Sequence, residues 1–135
     1  MGAFLNDLIT RHVDGQYVIL EESLVYRTNS LVTIHVPQGF KTDYASIPRF
    51  FWRFCGSRSG DGPKSNYAPA SVLHDFMYET GMTPYLKVTR RRADNIFYEA
   101  MLCLKVSRWR AWLMYKAVRL CGWFPWNRYR KRHLS

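Results

Sequence analysis

Residues 17–36, YVILEESLVYRTNSLVTIHV, decide the fold class. Tyr17–Leu20, Leu24–Thr28 and Leu31–Val36 are rich in β-branched and aromatic residues, and polar pieces such as Thr28-Asn29-Ser30 separate them. Such residues suit a pleated, half-buried surface, and short polar breaks suit turns. The stretch therefore predicts two or three antiparallel strands. Pro37 and Gly39 end the last one, because proline cannot donate to a ladder and glycine weakens a strand.

Working outward from it, the pattern changes. Lys41 to Pro48 reads as a polar loop before the apolar run Arg49–Cys55, where Ser46 can cap a short helix and Pro48 is tolerated in the first turn. Residues 56–64, GSRSGDGPK, read as a loop. Three helices are expected next. The first covers about Pro69 to Thr80, with Pro69 at its first position and Gly81 as its stop. The second covers about Arg90 to Leu104, with Thr89 as N-cap, and the third about Arg108 to Cys121, ending at Gly122. A sheet followed by helices argues for an α+β protein: a small N-terminal antiparallel sheet, then a bundle of about three to four helices. Residues 1–122 are expected to form a single compact domain, and 123–135 a basic aromatic C-terminal tail. There is no internal repeat or low-complexity linker.

The chain has 135 residues, 47% hydrophobic and 16% aromatic. That supplies a packed core for one domain and argues against disorder. The net charge of +10 is unevenly spread. The last acidic residue is Glu99, and nine basic residues follow it: Lys105, Arg108, Arg110, Lys116, Arg119, Arg128, Arg130, Lys131 and Arg132. Such asymmetry points to an anionic partner, whether nucleic acid, a membrane surface or an acidic protein face; a merely solubilising surface is the alternative. The three cysteines, Cys55, Cys103 and Cys121, form no CxxC pair, so neither a disulfide framework nor a zinc knuckle is indicated. Cys103 and Cys121 lie in apolar helical stretches and read as small core residues, and a reducing compartment is the simplest setting. No signal peptide and no uncharged apolar run long enough to span a bilayer are visible.

Four polar groups sit in apolar or tightly turned contexts: Asp43, His74, Asp75 and Asp94. On the first helix Val72, Asp75 and Glu79 share a face, and His74 is aligned with Tyr78. On the second, Asp94 shares a stripe with Phe97, Tyr98 and Met101, so its carboxylate needs a partner. Two arrangements are open. His74, Asp75, Asp94 and Asp43 could surround a divalent metal such as Zn, Mn or Fe and activate a water. Alternatively the carboxylates pair with arginines, among them Arg49, Arg90, Arg91 and Arg92, as a structural network. Glu79 and Glu99 are a further acid–base option. No GxSxG, Walker A, GxGxxG or HExxH motif occurs.

The third helix carries a binding signal. Lys105, Arg108, Trp112, Lys116 and Arg119 fall on one side, and Trp109, Leu113, Ala117 and Leu120 on the adjacent apolar side. Trp112 thus sits amid cations, either as an interface residue or folded beneath Arg and Lys stems. Trp123 and Trp126 beside RYRKRH (128–133) extend the pattern, which also suits single-stranded nucleic acid or a membrane interface. The partner surface expected here comprises Lys105, Arg108, Trp112, Lys116, Arg119, Arg128, Arg130, Lys131 and Arg132.

Four segments, VPQGFKTDYASIPRFFW (36–52), VLHDFMY (72–78), RRADNIFYEAM (91–101) and MYKAVRLCG (114–122), resemble in order the motifs of a family of uncharacterised phage and prophage proteins grouped as a domain of unknown function. The resemblance covers about residues 36–122. It implies a phage or prophage gene, acting in the bacterial host cytoplasm or the virion beside other phage proteins. It places Asp43, Ser46, Arg49, His74, Asp75, Asp94 and Tyr98 inside family motifs and supplies no activity. Three functions follow as expectations. The first is a metal-dependent hydrolase in envelope or lysis chemistry, with Asp43, His74, Asp75 and Asp94 around the metal and Arg49 on an anionic substrate group. The second is a non-catalytic virion (tail or baseplate) or assembly protein. The third is a nucleic-acid binder.

Overall fold

The computed structural model describes residues 2–14, 17–29, 32–42, 68–83 and 86–134. Its architecture is α+β. The first part holds β1 (Ala3–Phe4), β2 (Thr10–Asp14), β3 (Tyr17–Leu20), β4 (Leu24–Arg27), β5 (Thr33–Val36) and β6 (Lys41–Thr42). They form two three-stranded antiparallel sheets, ordered β1-β4-β5 and β2-β3-β6. Then come α1 (Ala68–Thr80), a short ribbon of β7 (Met82–Thr83) and β8 (Leu86–Lys87), α2 (Arg90–Cys103), α3 (Arg108–Cys121) and α4 (Trp123–Leu134). The three strands expected from residues 17–36 are present as β3, β4 and β5, divided between the two sheets. The short helix expected near Ser46, together with Asp43 and Arg49, lies outside the described residues.

The strands alternate as half-buried strands should. Val18 and Leu20 of β3, Leu24 and Tyr26 of β4, and Ile34 and Val36 of β5 are buried. Leu24 lies opposite Val36 and Tyr26 opposite Ile34, so each cross-strand pair contributes to one apolar layer. At Pro37-Gln38-Gly39-Phe40 the chain turns: the Phe40 amide donates to the Pro37 carbonyl at 3.1 Å, and Gly39 holds a φ of 87°. That left-handed third position favours glycine, which has no Cβ to clash. The turn lays β6 antiparallel to β3, with Val18 opposite Thr42, and so brings Thr42 to α1.

The central element is α1. Every residue from Ala70 to Tyr78 is buried, as expected of a helix enclosed on all sides. It packs against α2, α4 and strands β5, β6 and β7. Its stop is Gly81, at φ 69°, whose amide donates to the Met77 carbonyl at 2.8 Å. The last carbonyls of α1 are taken by α4: Arg130 Nη2 donates to Tyr78 O at 2.7 Å and to Glu79 O at 2.8 Å. A cation on the C-terminal carbonyls satisfies orphan acceptors and complements the helix dipole. Thr89 caps α2 as expected, its Oγ1 accepting from the Arg92 amide at 3.1 Å. Glu99 fastens α2 to the β1-β4-β5 sheet by accepting from the Tyr26 hydroxyl and the Asn29 amide, both at 2.7 Å.

Three features differ from the sequence reading or go beyond it. The stretch from residue 123, expected as a tail, is α4, which packs on α1 and places Trp126 and Tyr129 against the core. On α3 the face turned inward is Ala111, Met114, Ala117 and Val118, while Trp109 and Leu120 are 58% and 74% exposed. Periodicity leaves α3 with two apolar stripes, and the core took the slimmer one because alanines let α2 approach. Cys121 is exposed rather than a core residue, and half-buried Cys103 donates to the Gly2 carbonyl at 3.1 Å.

Gly81→Ala tests how α1 is terminated. A Cβ there would overlap Nη1 of Arg130, and the alanine would have to adopt a positive φ. The variant should lose about 2 kcal/mol or more, read as a lower midpoint in urea denaturation.

Candidate functional site

The polar centre is built on Asp94, in the second turn of α2 and fully buried. The Phe97–Met101 stripe turns this face of α2 toward α1, so the carboxylate enters an apolar interior. It survives there because three helices supply partners. From α1, His74 Nε2 lies 2.7 Å from Asp94 Oδ1, and the Tyr78 hydroxyl donates to the same oxygen at 2.6 Å. From α3, Arg119 Nη1 donates to Oδ2 at 2.8 Å. Arg90 Nη1 stands 3.6 Å from Oδ2 and donates to the carbonyls of Val118 and Arg119 at 3.2 Å each, capping α3.

The electrostatics follow from this wiring. Burial by itself pushes the Asp94 carboxyl up, but the bonds from His74, Tyr78 and Arg119 outweigh it and hold the pKa below its ordinary value. Burial and the Asp94 charge push the Tyr78 phenol up, so it stays a donor. An ionised carboxylate only accepts, so His74 Nε2 carries a hydrogen and donates. The His74 ring also packs against two tilted aromatic rings, with centroids 4.2 Å away at Tyr78 and 4.6 Å at Phe97.

Asp75 belongs to different surroundings. About 100° further round α1, it accepts from the Thr42 hydroxyl of β6. This contact joins two of the sequence motifs across the sheet–helix boundary. Beside it is a cavity of about 300 Å3 lined by Tyr17, Lys41, Thr42, Asp75, Glu79, Arg128 and Tyr129. Asp75 and Glu79 are one helical turn apart on that wall, and Lys41 lies over the Tyr17 ring at 4.4 Å.

Of the residues expected at one site, His74 and Asp94 thus meet, whereas Asp75 bonds to Thr42. Among the described residues no three His, Cys, Asp or Glu groups are placed to hold a metal ion. Asp43 and Arg49 lie outside the described residues. The arginine-paired arrangement holds for Asp94. Two residues expected on the partner surface are turned inward instead: Arg119 to Asp94, and Arg130 to the end of α1 beneath the Trp126 ring at 4.5 Å. Their long stems and forked donors suit buried acceptors that lysine would satisfy less well. Glu99 bonds to the sheet, outside the cavity that Glu79 lines. Tyr78 was marked in the sequence by its alignment with His74. Thr42 and Tyr129 carried no comparable signal.

Residues 18–118 match the family model described as "Protein of unknown function (DUF1353)". The chain belongs to this family. His74, Tyr78, Asp94 and most of the network around them lie within the part of this DUF1353 chain that matches. The chain is 38% identical over 88 residues to "Uncharacterized protein y4jT" of Sinorhizobium fredii (strain NBRC 101917 / NGR234). That similarity covers 64% of this chain but only 23% of the relative, so the DUF1353 chain spans about a quarter of that protein's length. No solved structure matches it. The matched segment stops before α4 and most of the basic C-terminus.

Acid should expose the cost of burying Asp94. Its folded pKa is lowered, so its contribution to stability is complete above its ordinary value of 3.8 and is lost as pH falls toward the folded value. Urea midpoints measured between about pH 2 and 6 should fall below about pH 4. Asp94→Asn should cost about 3–5 kcal/mol and flatten that acid limb. Tyr78→Phe, removing one donor, should cost about 1–2 kcal/mol and leave the limb in place.

Proposed function

We propose that this chain is a docking protein that engages an anionic partner through the outer surface of α3 and α4. The observation that carries the reading is that α3 is apolar on two opposite faces. One face, Ala111, Met114 and Val118, enters the core. The other, Trp109, Trp112 and Leu120, is exposed by 58%, 51% and 74% and lies roughly 160° away around the helix. Trp123 and Phe124 at the start of α4 are exposed by 56% and 59%. Cations attend these rings: Arg110 lies over Trp109 at 5.2 Å, Lys116 over Trp112 at 5.5 Å and Arg128 over Phe124 at 5.9 Å. Large exposed apolar groups among charges of one sign mark an interaction surface. Lys105, Arg108 and Lys131 are exposed nearby in the sequence and add to the field. A second copy of the chain is a poor occupant, since cations would face cations.

The closed network around Asp94 favours this reading over hydrolysis there, because its carboxylate is saturated with donors and sealed from solvent. In the setting the motif resemblance implies, a phage or prophage product acting in the host cytoplasm or virion, docking would serve assembly or attachment. Binding of fluorescent polyglutamate, a single-stranded oligonucleotide and anionic vesicles provides the test. At least one should bind, with affinity falling steeply with salt and lost in Arg110→Glu/Lys116→Glu. Indifference to all three would end the reading.

A second reading rests on the cavity beside Asp75. Lys41 and Arg128 would take an anionic group of a small ligand, and Asp75 and Glu79 would supply acid–base chemistry on it. Calorimetry with inorganic phosphate tests the binding half: heat should be seen with the native chain and lost in Lys41→Gln. An identical flat trace for both proteins would dismiss it.

A further inference from the structure

The outer face of α3 fits one kind of anionic partner better than the others, and we infer that it seats on the surface of an anionic lipid bilayer. The inference rests on the docking reading above and names its occupant. The relevant face is convex: Trp109, Trp112 and Leu120 project from a helix whose opposite side is held in the core. An acidic protein would have to offer a groove to receive such projections. A nucleic acid could stack on the tryptophans and pair its phosphates with Arg110 and Lys116, but it gains little from Leu120, the most exposed of the large apolar side chains among the described residues. A bilayer rewards all of these groups together. Its headgroup region accommodates indole rings, its acyl boundary takes aliphatic side chains, and its surface potential attracts cations.

The charge and length of the segment agree with this. No acidic residue follows Glu99, so nothing on α3 or α4 opposes approach to a negative surface. No described helix is long and apolar enough to cross a membrane. A helix of 14 residues, about 21 Å long, would lie along the interface. Arg119 and Arg130, which bond inward, do not contribute cations to this contact. Foremost among those that do are Arg110 and Lys116, already poised over the exposed rings, so apolar insertion and charge attraction act at the same place.

Co-sedimentation of the full chain with phosphatidylcholine vesicles, with and without phosphatidylglycerol, tests the inference, with tryptophan emission read in parallel. Sedimentation is expected only with the anionic vesicles, together with a blue shift of the emission. Arg110→Gln/Lys116→Gln should weaken partitioning by about tenfold or more, as each cation near an anionic surface contributes about fivefold. Trp109→Ser/Leu120→Ser should abolish the blue shift while its thermal melt, followed by circular dichroism, stays that of the native chain, since both positions are on the surface. Equal binding to neutral vesicles would overturn the inference, as would native partitioning of the Trp109→Ser/Leu120→Ser variant. If vesicles are ignored while the oligonucleotide or polyglutamate binds through the same cations, the lipid inference falls and the docking reading stands. If none binds, both fall.

Discussion

A single carboxylate organises the helical half of this protein. Asp94 is charged and has no access to water, a state tolerable only if its oxygens are bonded from several sides. The donors come from three different helices: His74 and Tyr78 on α1, Arg119 on α3 and, at longer range, Arg90 on α2 itself. Apolar packing alone would allow these helices to slide or rotate with modest loss. The requirement that His74, Tyr78 and Arg119 all reach one carboxylate fixes their depth and rotation together. His74, Tyr78 and Arg119 thereby act as one structural lock on the helices.

The cations divide into two populations with different physics. Arg90, Arg119 and Arg130 are turned inward, where guanidinium forks satisfy a carboxylate and the carbonyls that end α1 and α3. Arg110, Lys116 and Arg128 face outward over aromatic rings. The net charge of the C-terminal quarter therefore overstates the field presented to a partner. Of the outward cations, Arg110 and Lys116 lie over exposed indoles and Arg128 over the exposed Phe124 ring. Asp75, joined to Thr42, and Glu79 one turn further along α1 both line the polar cavity, beside space that a small ligand could enter.

The types and bounds of β3, β4 and β5 and of α1, α2 and α3 were legible in the amino-acid sequence. The β-branched runs of residues 17–36, the Thr89 cap and the Gly81 stop each act through local sterics and hydrogen bonds, which need no distant partner. The helical positions of His74, Tyr78 and Asp94 also follow from 3.6-residue geometry, and the need of Asp94 for a partner follows from its apolar neighbours. Beyond this the sequence was ambiguous. Strands β1, β2 and β6 escaped notice because they owe their existence to pairing partners rather than to their own composition. Whether residues from 123 onward are a tail or a helix depends on a docking surface on α1 that no local pattern encodes.

The sequence by itself determined that strands β3, β4 and β5 precede helices, where α1, α2 and α3 start and stop, and that a buried carboxylate would need donors. Only the tertiary structure decided which donors those were, which of the two apolar stripes of α3 went inside, and which arginines were spent there. Local rules operate within about one helical turn, whereas the choice between equally apolar faces is made by the shape and polarity of what they meet across the core.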